Sequence, residues 1–105
     1  IVLDPTAVTP ARRAHGVLEA PWPNPFNPRT RVAFTLARAT DLRLEVYDVR
    51  GRHVATPVHG PFDAGRHTVT WDGRDRAGGA VASGVYLLRL VGDGIDASRP
   101  VTLVE

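Results

Sequence analysis

Chemistry in this chain would have to come from a short inventory of side chains. Asp72 and Asp75, with Asp48 as a third carboxylate, are the nearest approach to a cation site. Calcium takes roughly six to eight oxygen ligands, and an EF-hand draws them from one ordered acidic run. Here Arg74 and Arg76 interleave with the aspartates, so Asp72 and Asp75 read as turn residues whose carboxylates accept backbone N–H groups. His53, His59 and His67 lack short-range metal spacing and read as solvated or core-edge residues. Ser83 precedes Gly84, but no G-x-S-x-G elbow surrounds it. The glutamates Glu19, Glu45 and Glu105 are scattered and offer no paired-acid arrangement. There is no phosphate loop and no dinucleotide fingerprint. Cysteine is absent, which removes thiolate ligands, thiol nucleophiles and disulfides. No enzymatic role, metal or cofactor is expected.

What remains is arginine. Arg29/Arg31, Arg50/Arg52 and Arg74/Arg76 form three i, i+2 pairs, each at a turn or strand start. All 13 basic positions are arginine, so a pI near 9.9 coexists with a formal net charge of only +2. Guanidinium does not titrate in the usual range, which makes that pI weak evidence for nucleic acid. If strand polarity alternates strictly, the three pairs gather at one pole with Asp48, Asp72 and Asp75. The aspartates can pair with them, and no stacking aromatics are expected beside them. The expectation is therefore a pole that faces protein or solvent, with no nucleic-acid partner.

The elements that would position these residues are strands. Val32, Phe34 and Leu36 alternate with polar or small neighbours, as do Leu42, Leu44 and Val46, and His67, Val69 and Trp71. Such alternation marks half-buried antiparallel strands. Turn signals lie between the runs, among them Arg50-Gly51-Arg52, Asp72-Gly73, Gly78-Gly79 and Gly92-Asp93-Gly94. Ten glycines and nine prolines in 105 residues favour a turn-rich β protein. The runs predict about seven strands, near 17–22, 31–37, 42–48, 53–58, 66–72, 84–91 and 98–104. That count and spacing indicate an all-β, immunoglobulin-like antiparallel β-sandwich over 17–105. Residues 1–16 read as an extended arm or linker, with apolar Ile1-Val2-Leu3 at its start. No apolar run is long enough to span a bilayer. The 105 residues hold no methionine, which suggests a processed protein or a piece of a larger one.

Two segments break the simple pattern. Pro21-Trp22-Pro23-Asn24-Pro25-Phe26-Asn27-Pro28 is a stiff, non-helical lead-in. Trp22 and Phe26 can anchor it, and Asn24 and Asn27 can bond local backbone groups. The run Gly84-Val85-Tyr86-Leu87-Leu88-Arg89-Leu90-Val91 is almost continuously apolar. If Tyr86, Leu88 and Leu90 face the core, Val85 and Leu87 face outward. Tyr47 also faces outward in its own strand, so one outer face is expected to carry Tyr47, Val85 and Leu87, with Arg89 as a polar rim.

PNPFNPRTRVAFTL, LRLEVYDVRGRHVATPV, AGRHTVTWDGRDRAGGAVASGVYLLRL and a final VTLVE follow one another in a fixed order. Together they resemble the C-terminal immunoglobulin-like domains of secreted bacterial proteins. These are related to the C-terminal domain of the flagellar hook-capping protein and to type A sorting domains of type IX secretion. The resemblance covers about Leu18 to Glu105. Its structural residues make physical sense as framework: Trp71 filling the core, Asp72, Gly73 and Asp75 shaping a turn, Gly84 permitting an unusual backbone, and Tyr86 burying a ring whose hydroxyl needs a partner.

The resemblance implies a non-catalytic protein-docking module outside the cytoplasm, in the periplasm, on the cell surface or secreted. It would be a C-terminal sorting or attachment domain of a secreted protein, or an accessory structural subunit of a larger cell-envelope complex. Its partner would be a protein, within an envelope or membrane-associated complex, with no membrane span of its own. The alternative is a carbohydrate- or ligand-binding β-sandwich, which requires exposed aromatics, and only Trp22 and Tyr47 are candidates.

Overall fold

A computed structural model describes residues 16–105. The arm expected over 1–16 lies outside the described residues except for Gly16, which opens the first strand. Seven strands follow: β1 (Gly16–Leu18), β2 (Thr30–Leu36), β3 (Thr40–Asp48), β4 (His53–Phe62), β5 (Gly65–Trp71), β6 (Gly84–Gly92) and β7 (Ile95–Leu103). They form two antiparallel sheets, ordered β1-β2-β5 and β4-β3-β6-β7. This is the immunoglobulin-like all-β sandwich.

The alternating residues fill the space between the sheets. Phe34, Leu44, Val46, Leu88 and Leu90 are fully buried, and Val32, Leu36, Leu42 and Val101 nearly so. Removing such side chains from water is the main favourable term in holding the sheets together.

Strand boundaries differ from the sequence reading where proline intervenes. β1 stops at Leu18, because Pro21 and Pro23 cannot extend a ladder. β4 runs on to Phe62 through Pro57 and Pro61, and β7 contains Pro100. Both strands are sheet edges, where a missing N–H can face away from the ladder.

The proline-rich segment closes one end of the sandwich. Trp22 forms an antiparallel bridge to Arg31 on β2, whereas Phe26 bridges to Leu103 on β7 in the other sheet. Phe26 N donates to Thr102 O at 2.8 Å, and Val104 N donates to Phe26 O at 3.0 Å. Phe26 is buried against Trp71, with ring centroids 5.5 Å apart. Asn24 does not bond local backbone: its Oδ1 accepts the N–H of Thr102, because the strap lies directly beside β7. Asn27 is exposed.

Candidate functional site

The outer face of the four-stranded sheet carries the apolar interruption. Cross-strand register sets Tyr47 opposite Leu87, Leu87 opposite Pro100, and Val85 opposite Thr102. Val85 is 47% exposed and Leu87 38%. With Val49 from the β3–β4 turn they line an open groove of about 610 Å³, which Arg89 and Ser98 also border.

The polar groups around the groove are already paired. Tyr47 OH donates to Glu45 Oε1 at 2.7 Å, and Arg43 Nε donates to Glu45 Oε2 at 2.9 Å. The shared bond with Glu45 pushes the Tyr47 hydroxyl above its ordinary range and holds the Glu45 carboxyl below its own. Arg89 makes a two-pronged contact to Asp96, at 2.9 and 2.8 Å, which strengthens its hold on its proton. A phenol kept protonated and a guanidinium kept charged supply no nucleophile or base at neutral pH. The face is suited to burying apolar surface inside a fixed polar border.

The arginine pairs divide between two places. Arg50 and Arg52 flank the β3–β4 turn, where Asp48 Oδ1 accepts both of their backbone N–H groups at 2.9 Å. Asp48 Oδ2 also accepts from Arg52 Nε at 2.9 Å. Arg52 and Arg76 share a depression with Asp48, Asp75 and Tyr86, and Arg74 and Arg76 share the next one with Asp72 and Asp75. Arg31 instead lies on the outer face of the three-stranded sheet, its guanidinium 5.3 Å from the centre of the Trp22 ring. An aromatic therefore does accompany one of the arginines, contrary to the sequence reading. Arg29 is exposed just before β2.

The turn aspartates also need correction. Asp75 behaves as expected, its Oδ1 accepting the N–H groups of Ala77 and Gly79 at 3.0 Å. Asp72 does not cap the backbone and faces Arg74 at 3.9 Å. Asp48 takes the second capping role, because the tight Val49–Gly51 turn brings two N–H groups to its carboxylate. Those bonds, with the Arg52 backbone N–H foremost, hold the Asp48 carboxyl below its ordinary range. Gly73 has φ of +74°, and a Cβ there would meet Pro28 O at 3.1 Å. Gly84, at φ +155°, opens β6. His67 packs against Phe34 and Phe62, and His53 lies edge-on to Tyr47. Among the described residues no three His, Asp or Glu side chains gather as a metal site.

Phe26 anchors the proline-rich segment through its buried ring and Trp22 through its backbone bridge, while the Trp22 side chain is 67% exposed, as its place among the exposed-aromatic candidates expects. The signal is in the pairing: Arg31 faces solvent on β2, so a residue bridged directly to it faces solvent too.

Residues 25–94 match the FlgD Ig-like domain family. The fold superimposes on dimeric latent PorU from Porphyromonas gingivalis with a TM-score of 0.69, at 20% identity over 85% of this chain and 9% of PorU. FlgD from Xanthomonas campestris, described for hook capping in flagellar assembly, aligns with a TM-score of 0.59. Identity there is 24%, covering 85% of this chain and 67% of that one. FlgD from P. aeruginosa gives 0.57 at 24% identity, covering 70% and 59%. This chain thus spans a small part of PorU and about three-fifths of the P. aeruginosa protein. No curated protein matches the sequence.

Proposed function

The chain belongs to the FlgD Ig-like domain family, and from that premise we propose that it is a non-catalytic docking module that works outside the cytoplasm. It attaches to a larger protein assembly of the cell envelope through the outer face of Tyr47, Val85 and Leu87. In one setting it is the C-terminal attachment or sorting domain of a secreted protein; in the other it is an accessory subunit. The full-length gene separates these, because the first requires a large passenger domain upstream.

The observation that carries this reading is the apolar groove itself. A solvated sheet face reads polar at alternate positions, as Arg43 and Glu45 do on β3. Val85, Leu87, Val49 and Pro100 break that rule together and border one groove. Its occupant is a protein surface with an apolar centre, since the Arg89–Asp96 pair and the Arg43–Glu45–Tyr47 cluster each sum to zero charge and leave this rim hydrogen-bonded. That PorU contains the same fold as a small fraction of its length supports a module that serves a larger whole.

Site-specific photocrosslinking tests the face in the full-length product, expressed in its source cells. A crosslinker at Leu87 should give one defined adduct that Val85→Asp abolishes, while the same group at Thr35, on the opposite outer face, gives none. Identical adducts from both positions, or none from Leu87, would overturn the reading.

A further inference from the structure

On the outer face of the three-stranded sheet, Trp22 occupies a setting that docking through the other face does not use. It is mostly exposed, yet it is firmly held. Trp22 N donates to Arg31 O at 2.8 Å and Arg31 N donates to Trp22 O at 2.9 Å. Pro21 and Pro23 restrict the backbone on either side. The Arg31 guanidinium stacks over the ring. Leaving an indole in water is unfavourable, and Trp71 already supplies the core with one. An aromatic fixed in place and still mostly exposed beside its arginine is a presented surface.

Beside the ring lies a depression of about 250 Å³ bordered by Glu19, Trp22, Arg31, Ala33, Arg66 and Thr68. Ala33, only 8% exposed and directly opposite Thr68, supplies a small apolar residue among these polar neighbours. Arg66 grips Glu19 through Nε and Nη2, both at 3.0 Å. That fork fixes the pair while leaving further N–H donors on Arg66 and a lone pair on each Glu19 oxygen. Arg66 and Arg31 against Glu19 give this patch a net positive charge. Among the described residues, Arg31 has no carboxylate partner.

These groups match one ligand chemistry. A pyranose presents a C–H face that stacks on an indole and adjacent hydroxyls that suit a paired donor and acceptor. The volume suits a single ring, and the residual positive charge at Arg31 suits a carboxylate on it. We propose that this face binds a hexuronate unit of an acidic polysaccharide. The sugar ring lies against Trp22, its carboxylate is held by Arg31, and its hydroxyls by the Arg66–Glu19 fork and Thr68.

The test uses the whole chain, a galacturonate hexamer, and a neutral cellohexaose of equal length. Acrylamide quenching reports Trp22 selectively, because Trp71 is buried. The acidic hexamer should shield Trp22 and bind at least roughly tenfold more tightly than the neutral one. By calorimetry, Trp22→Leu should weaken binding by about tenfold or more, and Arg31→Gln should abolish the preference for the acid. Both residues are exposed, so the melting temperature should hold; should Trp22→Leu fail to fold, Arg31→Gln decides. Unchanged quenching, equal binding of both hexamers, or full binding by a folded Trp22→Leu variant would overturn the proposal, the last by exposing mere charge attraction.

Discussion

Trp71 and Tyr86 meet edge to face across the two sheets, with ring centroids 5.3 Å apart. Each ring also sends its polar atom into the same long connection between β5 and β6. Trp71 Nε1 donates to Arg74 O at 3.0 Å, and Tyr86 OH donates to Ala82 O at 2.6 Å. One aromatic pair thus joins the sheets and pins both ends of the loop that contains Asp75.

Removing either half of this pair has a separable cost. Trp71→Ala should lose about 3–5 kcal/mol, through lost burial and the cavity left behind. Tyr86→Phe keeps the ring and loses one hydrogen bond, for about 1 kcal/mol, with Ala82 O left to find water. Urea unfolding of both variants checks the order. A Trp71→Ala loss below about 1 kcal/mol would show that the indole is not a core element.

Gly73 should be less replaceable than Gly51. Both have left-handed φ, +74° and +82°, so alanine at either pays for a conformation that L residues rarely adopt, about 1–3 kcal/mol. At Gly51 the new methyl meets nothing within 4 Å, whereas at Gly73 it sits 3.1 Å from the carbonyl oxygen of Pro28. Gly73→Ala should therefore cost more than Gly51→Ala in parallel thermal melts. Equal costs would mean that the Pro28 strap yields freely.

The Asp75 carboxylate works on its own loop. Asp75→Asn keeps an oxygen for the Ala77 and Gly79 N–H groups and should change stability by less than about 0.5 kcal/mol. Asp75→Ala leaves both donors unpaired by protein and should cost about 1–2 kcal/mol. Chelator should leave the melting temperature unchanged. A ligand present at a hundredfold its dissociation constant adds about 2.7 kcal/mol, so a calcium site at Asp75 would be plain in the melt.

The frame was legible in the sequence because it rests on period-two burial, and Phe34, Leu44, Val46, Leu88 and Leu90 each lie inside as their alternation requires. The apolar outer face was legible for the same reason in reverse: Val85 and Leu87 stand where a polar residue belongs. What stayed hidden depended on partners distant in the chain. His59-Gly60-Pro61 reads as a turn that ends the strand near 58, because nothing local marks β4 as an edge that can carry Pro61 on to Phe62. Asn24 looked like a local turn former, yet its acceptor serves Thr102, 78 residues away. Trp22 reads both as an anchor and as an exposed aromatic, and only the bridge to Arg31 shows that its backbone does the first while its ring does the second. Asp48 and Asp72 precede turns alike, and only the path of the turn decides which carboxylate meets N–H groups.

Stability should form a plateau across neutral pH and fall at both ends, for different groups. Glu45 is held below its ordinary 4.5, first by the Tyr47 hydroxyl and then by Arg43. Glu19 is held below 4.5, chiefly by Arg66, and Asp48 below 3.8, chiefly by the Arg52 backbone N–H. In each case the unfolded chain binds a proton more readily than the folded one. Their contribution is complete above the unfolded value and is lost as pH falls through it toward the lower folded value. The acid limb should therefore begin near 4.5 and steepen below it. Tyr86, raised chiefly by burial, and Tyr47, raised chiefly by its bond to Glu45, act in the opposite sense. Folding favours their protonated forms, so that stability is complete below the ordinary 10.0 and is lost as pH climbs past it. Urea unfolding across pH measures both limbs. Glu45→Gln is the sharpest single check, because it removes one acid-limb group and frees Tyr47 from a carboxylate at once. The acid slope should flatten, and tyrosinate absorbance should appear at lower pH than in the parent chain. An unaltered tyrosine titration would show that the Glu45–Tyr47 bond does not persist in solution.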